Sequence, residues 1–304
     1  MRVVSLLPGA TEVVAVLGAL ESLVGVTHEC DHPAAVASCA RVTGTTVDVH
    51  ADADAVDAQV RAIAAEGRPL FTLDEARIRA LRPDVILTQA LCDVCAVSES
   101  DVRALAARMD PAPRLVTCAA TSLDGVFADV MAIGGALGRA SAADAWVTAA
   151  RARMRVVHET LKAARAPRPR VAVIEWGAPL YAAGHWVPEM VARAGGVDVL
   201  ATAGSHSVEI DLASIRAADP EVILFAPCGY DLPRAVAEGE RLLADPAWAW
   251  ARERRCLALD ANAFVSRPGP RLIDGVELLA RCFTPSLFTP PDGAQARALT
   301  PALS

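Results

Sequence analysis

The feature that most constrains this chain is a run from Ser141 to Ala166 that contains neither glycine nor proline. Ser141 suits a helix N-cap, and Trp146, Ala150, Met154, Val157 and Leu161 recur along one face at helical spacing. A helix of that length spans about 39 Å, the width of a small domain. Pro167 and Pro169 then end it. Strand and helix signals alternate on both sides of the run, so it reads as a connector between two lobes rather than as an ordinary domain helix.

The half before it reads as strand Val3–Leu7, helix Ala10–Leu17 stopped by Gly18, and strand Leu23–Val26. There follow helix Asp74–Leu81, strand Asp84–Thr88, helix Ser100–Met109, strand Arg114–Cys118 and helix Leu123–Leu137. The half after it reads as strand Val171–Glu175, helix Trp186–Arg193, helix Leu212–Ala217, strand Glu221–Ala226, helix Leu232–Leu243, strand Cys256–Leu259 and helix Arg271–Cys282. The halves echo each other: Leu81-Arg82-Pro83-Asp84-Val85-Ile86-Leu87 matches Ala218-Asp219-Pro220-Glu221-Val222-Ile223-Leu224. Strands separated by helices imply parallel sheets. The expected fold is therefore α/β, with two three-layer lobes, 1–139 and 168–290, joined by a single long helix over 140–167 and followed by a tail, 291–304. A monomer is expected.

Composition agrees and excludes some partners. At 304 residues the chain is long enough for two domains, and 53% hydrophobic residues with only 4% aromatics suit buried parallel strands under Ala-rich helices. A net charge of −7 and the lack of a Lys/Arg-rich run argue against nucleic acid as a partner. No stretch is apolar for long enough to span a bilayer. Pro8, Gly9, Thr11 and Glu12 interrupt the N-terminal apolar run, which reads as a strand rather than a signal peptide. As written, the chain is expected in the cytoplasm, with an envelope location only if an export signal precedes it. Its 8 cysteines are then expected as thiols or metal ligands.

In open α/β sheets, ligands collect beyond the carboxyl ends of the strands, so two such lobes are expected to hold a ligand in a shared crevice. Pro8-Gly9-Ala10, His28-Glu29-Cys30 and Leu91-Cys92-Asp93-Val94-Cys95 stand at those ends in the first half. Trp176-Gly177, Tyr181, His185-Trp186, Cys228-Gly229-Tyr230 and Phe264-Val265-Ser266-Arg267 stand there in the second. Five of these are aromatic, which suits stacking on a flat apolar ligand. No nucleophile elbow or phosphate-binding loop is present, so hydrolase and nucleotide-enzyme readings lack support.

These segments resemble the substrate-binding proteins of ABC importers for vitamin B12 and iron chelates. The resemblance rests on Val3-Val4-Ser5-Leu6-Leu7-Pro8-Gly9-Ala10-Thr11-Glu12, Leu23-Val24-Gly25-Val26 and Asp31-His32-Pro33. It continues in Gly184-His185-Trp186-Val187-Pro188-Glu189-Met190 through Gly195-Gly196, and in Arg267-Pro268-Gly269-Pro270-Arg271. It implies non-catalytic binding of a corrinoid or related metal-tetrapyrrole, such as cobalamin, and an ABC permease as partner. Carried over by position, the ligand-facing residues are Pro8, Gly9, Ala10, His28, Glu29, Leu91, Cys92, Trp176, Gly177, Trp186, Phe264 and Arg267. Glu99 and Asp231 match the acids that dock onto the transporter.

The His28-Glu29-Cys30 and Cys92-Asp93-Val94-Cys95 segments depart from that pattern. His28 and Cys30 lie two apart on an extended segment, and Cys92 and Cys95 have the gap that lets two thiolates share an ion. Zn binding by His28, Cys30, Cys92 and Cys95, incidental buried thiols and a redox pair all stay open. A Cys/His metalloenzyme or redox protein is accordingly the rival reading. His28 or His185 is alternatively a nitrogen donor to a bound cobalt or iron, while His50, His158 and His206 have no partner discernible in the sequence.

Overall fold

A computed structural model of the chain describes residues 1–49, 51–90 and 97–300. The chain is α/β and divides into two compact units: Met1–Ala120 with Asp124–Ala149 and Pro268–Pro270, and Thr121–Leu123 with Ala150–Arg267 and Arg271–Ser304.

The first unit carries strands β1 (Val3–Ser5), β2 (Leu23–Val26), β3 (Ala40–Arg41), β4 (Thr43–Thr45), β5 (Phe71–Leu73), β6 (Val85–Gln89) and β7 (Arg114–Cys118). Its helices are α1 (Pro8–Val16), α2 (Ala53–Ala65), α3 (Glu75–Leu81), α4 (Glu99–Ala107), α5 (Leu123–Ala136) and the start of α6 (Ala140–Ala163). One parallel sheet runs β3-β2-β1-β6-β7. Alternation along its strands serves two cores. Val3, Val85 and Leu87 pack with Val14, Ile133 and Ala143 on one face, while Val4 and Ile86 pack with Ile78, Val102 and Leu105 on the other. Strands buried on both faces read as unbroken apolar runs, which is why Val85-Ile86-Leu87 was recognisable. β4 and β5 form a separate antiparallel ribbon that the apolar pattern does not announce.

The second unit holds β8 (Arg170–Gly177), β9 (Leu180–Ala182), β10 (Val197–Asp198), β11 (Val208–Glu209), β12 (Val222–Phe225), β13 (Arg255–Leu259) and β14 (Ala296–Ala298). Its helices are α7 (Val187–Arg193), α8 (Leu212–Ala217), α9 (Leu232–Ala244), α10 (Ala261–Phe264) and α11 (Arg271–Phe283). The sheet order is β11-β9-β8-β12-β13-β14, with β10 also on β8. β8, β12 and β13 are parallel, and β9, β11 and β14 are antiparallel additions. Thus residues 296–298 of the expected tail add a strand to β13. Ala172, Ile174, Ile223 and Phe225 point into a core with Leu242 and Trp248. On the other face α7 and α11 approach closely: a Cβ on Gly196 would lie 2.9 Å from both Val171 and Val191 and 3.0 Å from Phe283.

α6 ends at Ala163 rather than at Ala166. Arg165 adopts φ 50°, and the Ala166 N–H returns to the Leu161 carbonyl at 3.0 Å, closing the helix with a left-handed cap. The residue before a proline avoids helical geometry, so Ala166 could not have continued the turn into Pro167. The division between the units falls inside α6, after Ala149.

Candidate functional site

In the first unit the loop after β1 is short. Pro8 is the first residue of α1, where its missing N–H costs nothing, so the helix starts two residues before the expected Ala10. Pro8 is half-buried, whereas Gly9 and Ala10 are buried. A Cβ on Gly9 would sit 2.4 Å from the Pro268 carbonyl oxygen, so backbone already covers this glycine.

After β2 the chain turns rather than extending. The Cys30 N–H bonds the Thr27 carbonyl at 3.2 Å, and Arg41 Nη1 donates to the carbonyls of both Thr27 and Cys30. That turn separates the two side chains expected on one side. Cys30 enters the core at 2% exposure, with its sulfur 3.1 Å from the Thr11 hydroxyl. His28 Nδ1 lies 2.7 Å from the Thr43 hydroxyl, and its ring lies 5.8 Å from that of Phe71. Burial, with Arg41 second, lowers the His28 pKa, so the imidazole is favoured as neutral and any ligand bond would come from Nε2. Glu29 is half-buried, and its N–H bonds the Thr27 hydroxyl. Leu91, Cys92 and Cys95 lie outside the described residues. Among the described residues, no three His, Cys, Asp or Glu side chains are placed to hold a metal ion.

In the second unit β8 ends at Trp176-Gly177. Trp176 is half-buried, its Nε1 donates to the Ala178 carbonyl at 3.0 Å, and its ring meets Tyr230 edge-on at 5.5 Å. The Arg234 guanidinium lies 3.8 Å above the Tyr230 ring, giving an aromatic–cation stack beside the strand ends. Gly177 faces protein: a Cβ there would lie 1.8 Å from Glu238, a buried carboxylate held by Arg241. Phe264 and Arg267 are half-buried. Trp186 differs from Trp176. Only 5% exposed, it donates Nε1 to the Val265 carbonyl at 2.7 Å and packs as a strut at the start of α7.

Beside it His185 meets a partner that the local pattern of residues does not announce. Its Nε2 is 3.2 Å from Nδ1 of His206, which arrives from the segment leading into β11. Burial, then His206, lowers the His185 pKa. Below them Ser207 donates to Glu175, whose carboxyl is pushed up by burial.

The two acids expected to face a transporter are unequally committed. Glu99 opens α4 and accepts from Arg103 and from the Thr117 hydroxyl, which hold its carboxyl below the usual range. Asp231 is exposed and caps α9 through the Arg234 N–H. No helix among the described residues is long and apolar enough to cross a membrane.

A family profile described as periplasmic binding protein matches residues 3–252, and the chain belongs to that family. A search of curated proteins returns no match. Among solved structures, a periplasmic heme binding protein from Pseudomonas aeruginosa is 24% identical, with 98% of this chain and 97% of that one covered at a TM-score of 0.73. The periplasmic vitamin B12 binding protein BtuF of Vibrio cholerae is 20% identical over 94% and 97% at 0.61. A structure from Saccharomonospora viridis, described as an ABC-type Fe3+-hydroxamate transport system, is 20% identical over 93% and 92% at 0.64. These likenesses establish the fold.

Proposed function

We propose that the chain is a non-catalytic carrier that seats a metal-bearing macrocycle, a corrinoid or a related metal-tetrapyrrole, on loops at the carboxyl ends of its parallel strands, and presents it to an ABC permease. The observation that carries this reading is the Trp176 ring. It stands half-buried at the end of β8, oriented in advance by Ala178 and Tyr230. Pre-set aromatic faces favour flat apolar ligands, because little side-chain freedom is lost on binding. Membership of a binding-protein family and the ligands named for the heme and vitamin B12 neighbours support the same class. Asp231, more exposed and less committed than Glu99, is the acid better placed to meet a permease.

Titration with cobalamin, heme and a ferric hydroxamate, followed by absorbance and calorimetry, tests the reading. Saturable binding of a macrocycle, weakened by Trp176→Ala, is expected. Binding of the hydroxamate alone, or of none of the three, would overturn it. Metal content measured with and without Cys92→Ser and Cys95→Ser separates this carrier from the rival Cys/His metal protein.

A further inference from the structure

The β9/β11 edge of the second sheet brings together two imidazoles from distant segments. His185 Nε2 and His206 Nδ1 are 3.2 Å apart, with ring centroids at 5.2 Å and planes at 89°. Two nitrogens bound to one ion at about 2.0–2.1 Å lie roughly 2.9 Å apart at a right angle and roughly 3.4 Å apart at the tetrahedral angle. The observed separation falls inside that range.

The backbone holds the two segments that carry the rings against each other. The His185 N–H bonds the Ser205 carbonyl at 2.6 Å, the Gly204 N–H bonds the His185 carbonyl at 2.8 Å, and the Gly184 N–H bonds the Ser207 hydroxyl at 3.1 Å. The segments touch because Gly184 lacks a side chain: a Cβ there would lie 2.4 Å from Ser207 N, 2.5 Å from His206 C and 2.6 Å from Ser205 O. His185 itself takes φ 54°, a conformation that costs a non-glycine residue energy and persists only where its surroundings impose it. His206 is exposed, so an ion reaches the pair directly from water.

We propose that His185 and His206 form a two-imidazole chelate for a late first-row divalent cation, Cu2+, Ni2+ or Zn2+, in addition to the macrocycle reading. In the ion-free state the two facing nitrogens share a hydrogen bond. On binding, the donor ring moves its proton to its other nitrogen, both rings stay neutral, and water fills the remaining coordination positions. Imidazole pairs select these cations over Mg2+ and Ca2+, which prefer oxygen, and Cu2+ binds tightest among them.

The test uses tag-free full-length protein in a Cys92→Ser, Cys95→Ser background, so that thiolates do not compete. Calorimetric titration with CuCl2, NiCl2, ZnCl2 and MgCl2 is expected to show one Cu2+ per chain, weaker Ni2+ and Zn2+, and no Mg2+. Electron paramagnetic resonance of the copper form is expected to show two coupled nitrogens. His206→Ala is expected to lower Cu2+ affinity by at least about tenfold, as changes around metal ligands commonly do, without altering the melting profile. His158→Ala, which removes an exposed histidine on α6, is expected to leave it unchanged. Equal affinity in the parent and the His206→Ala protein, or an equal loss on His158→Ala, would overturn the proposal. Cobalamin and heme titrations of the His206→Ala protein report separately on the macrocycle reading.

Discussion

The indole Nε1 of Trp186 donates to the Val265 carbonyl at 2.7 Å, linking positions 79 residues apart. The bond ties the start of α7 to the chain just past α10 and leaves Trp186 with a structural task. Trp186→Phe keeps most of the apolar volume but orphans a buried carbonyl. Its expected cost is about 1–3 kcal/mol in chemical denaturation, with ligand affinity of the folded protein essentially unchanged. A large affinity loss at unchanged stability would reverse this assignment.

Trp176 should behave in the opposite way. Trp176→Ala is expected to weaken macrocycle binding by about 2 kcal/mol, roughly thirtyfold, as truncating a buried aromatic anchor does. Trp176→Phe should recover much of the loss, since the stacking face is retained. Calorimetry on both variants checks the pair.

Asp198 gives a pH-dependent prediction. Its Oδ1 accepts from the N–H groups of Leu200 at 2.9 Å and Ala201 at 3.0 Å, while burial of Oδ2 pushes the carboxyl up to about 6 from an ordinary 3.8. A carboxyl with a raised folded pKa favours folding below the unfolded pKa, and this contribution is lost as pH rises through the folded value. Asp198→Asn keeps both backbone bonds on Oδ1 without the buried charge. The variant should be more stable than the parent by about 1–3 kcal/mol at pH 8, with the gap closing towards pH 4. Urea melts across that range decide it, and a gap that widens on acidification would refute it.

Gly184→Ala places a methyl group against three backbone atoms that cannot rotate away. The β9/β11 edge must open, at an expected cost of about 1–3 kcal/mol. The contact between the His185 and His206 rings should then be lost, which changed imidazole NMR chemical shifts at a fixed pH would report. A variant with parental stability and unchanged imidazole shifts would show that the edge tolerates a side chain.

The central strands β6 and β12 were legible because parallel strands buried on both faces carry unbroken apolar runs, Val85-Ile86-Leu87 and Val222-Ile223-Leu224-Phe225, and each follows a helix end and a proline. α6 was legible because no breaker interrupts it. The ribbon β4–β5 and the edge strands β9, β11 and β14 were not: strands of two or three residues lack the length to show alternation. The His185–His206 pair stayed hidden for the same reason, since the antiparallel edge pairing that joins the two is itself so short. His28 and Cys30 were expected on one side because i and i+2 share a face only in an extended chain. Arg41, eleven residues beyond Cys30, instead holds that segment in a turn.

Burial also grades the cysteines by their chemistry. The Cys256 and Cys282 thiols are each pushed up to about 12, and Cys118 is raised further by burial and by Asp129. Cys228 is half-buried in the loop after β12, two residues before Tyr230. At pH 7 an alkylating dye attacks thiolates, so Cys118, Cys256 and Cys282 should remain unmodified in the native fold, while the partly exposed Cys228 is sterically within a dye's reach. A fluorophore attached there would sit beside the Trp176–Tyr230 stack, turning a residue with no assigned role into an optical reporter of ligand arrival.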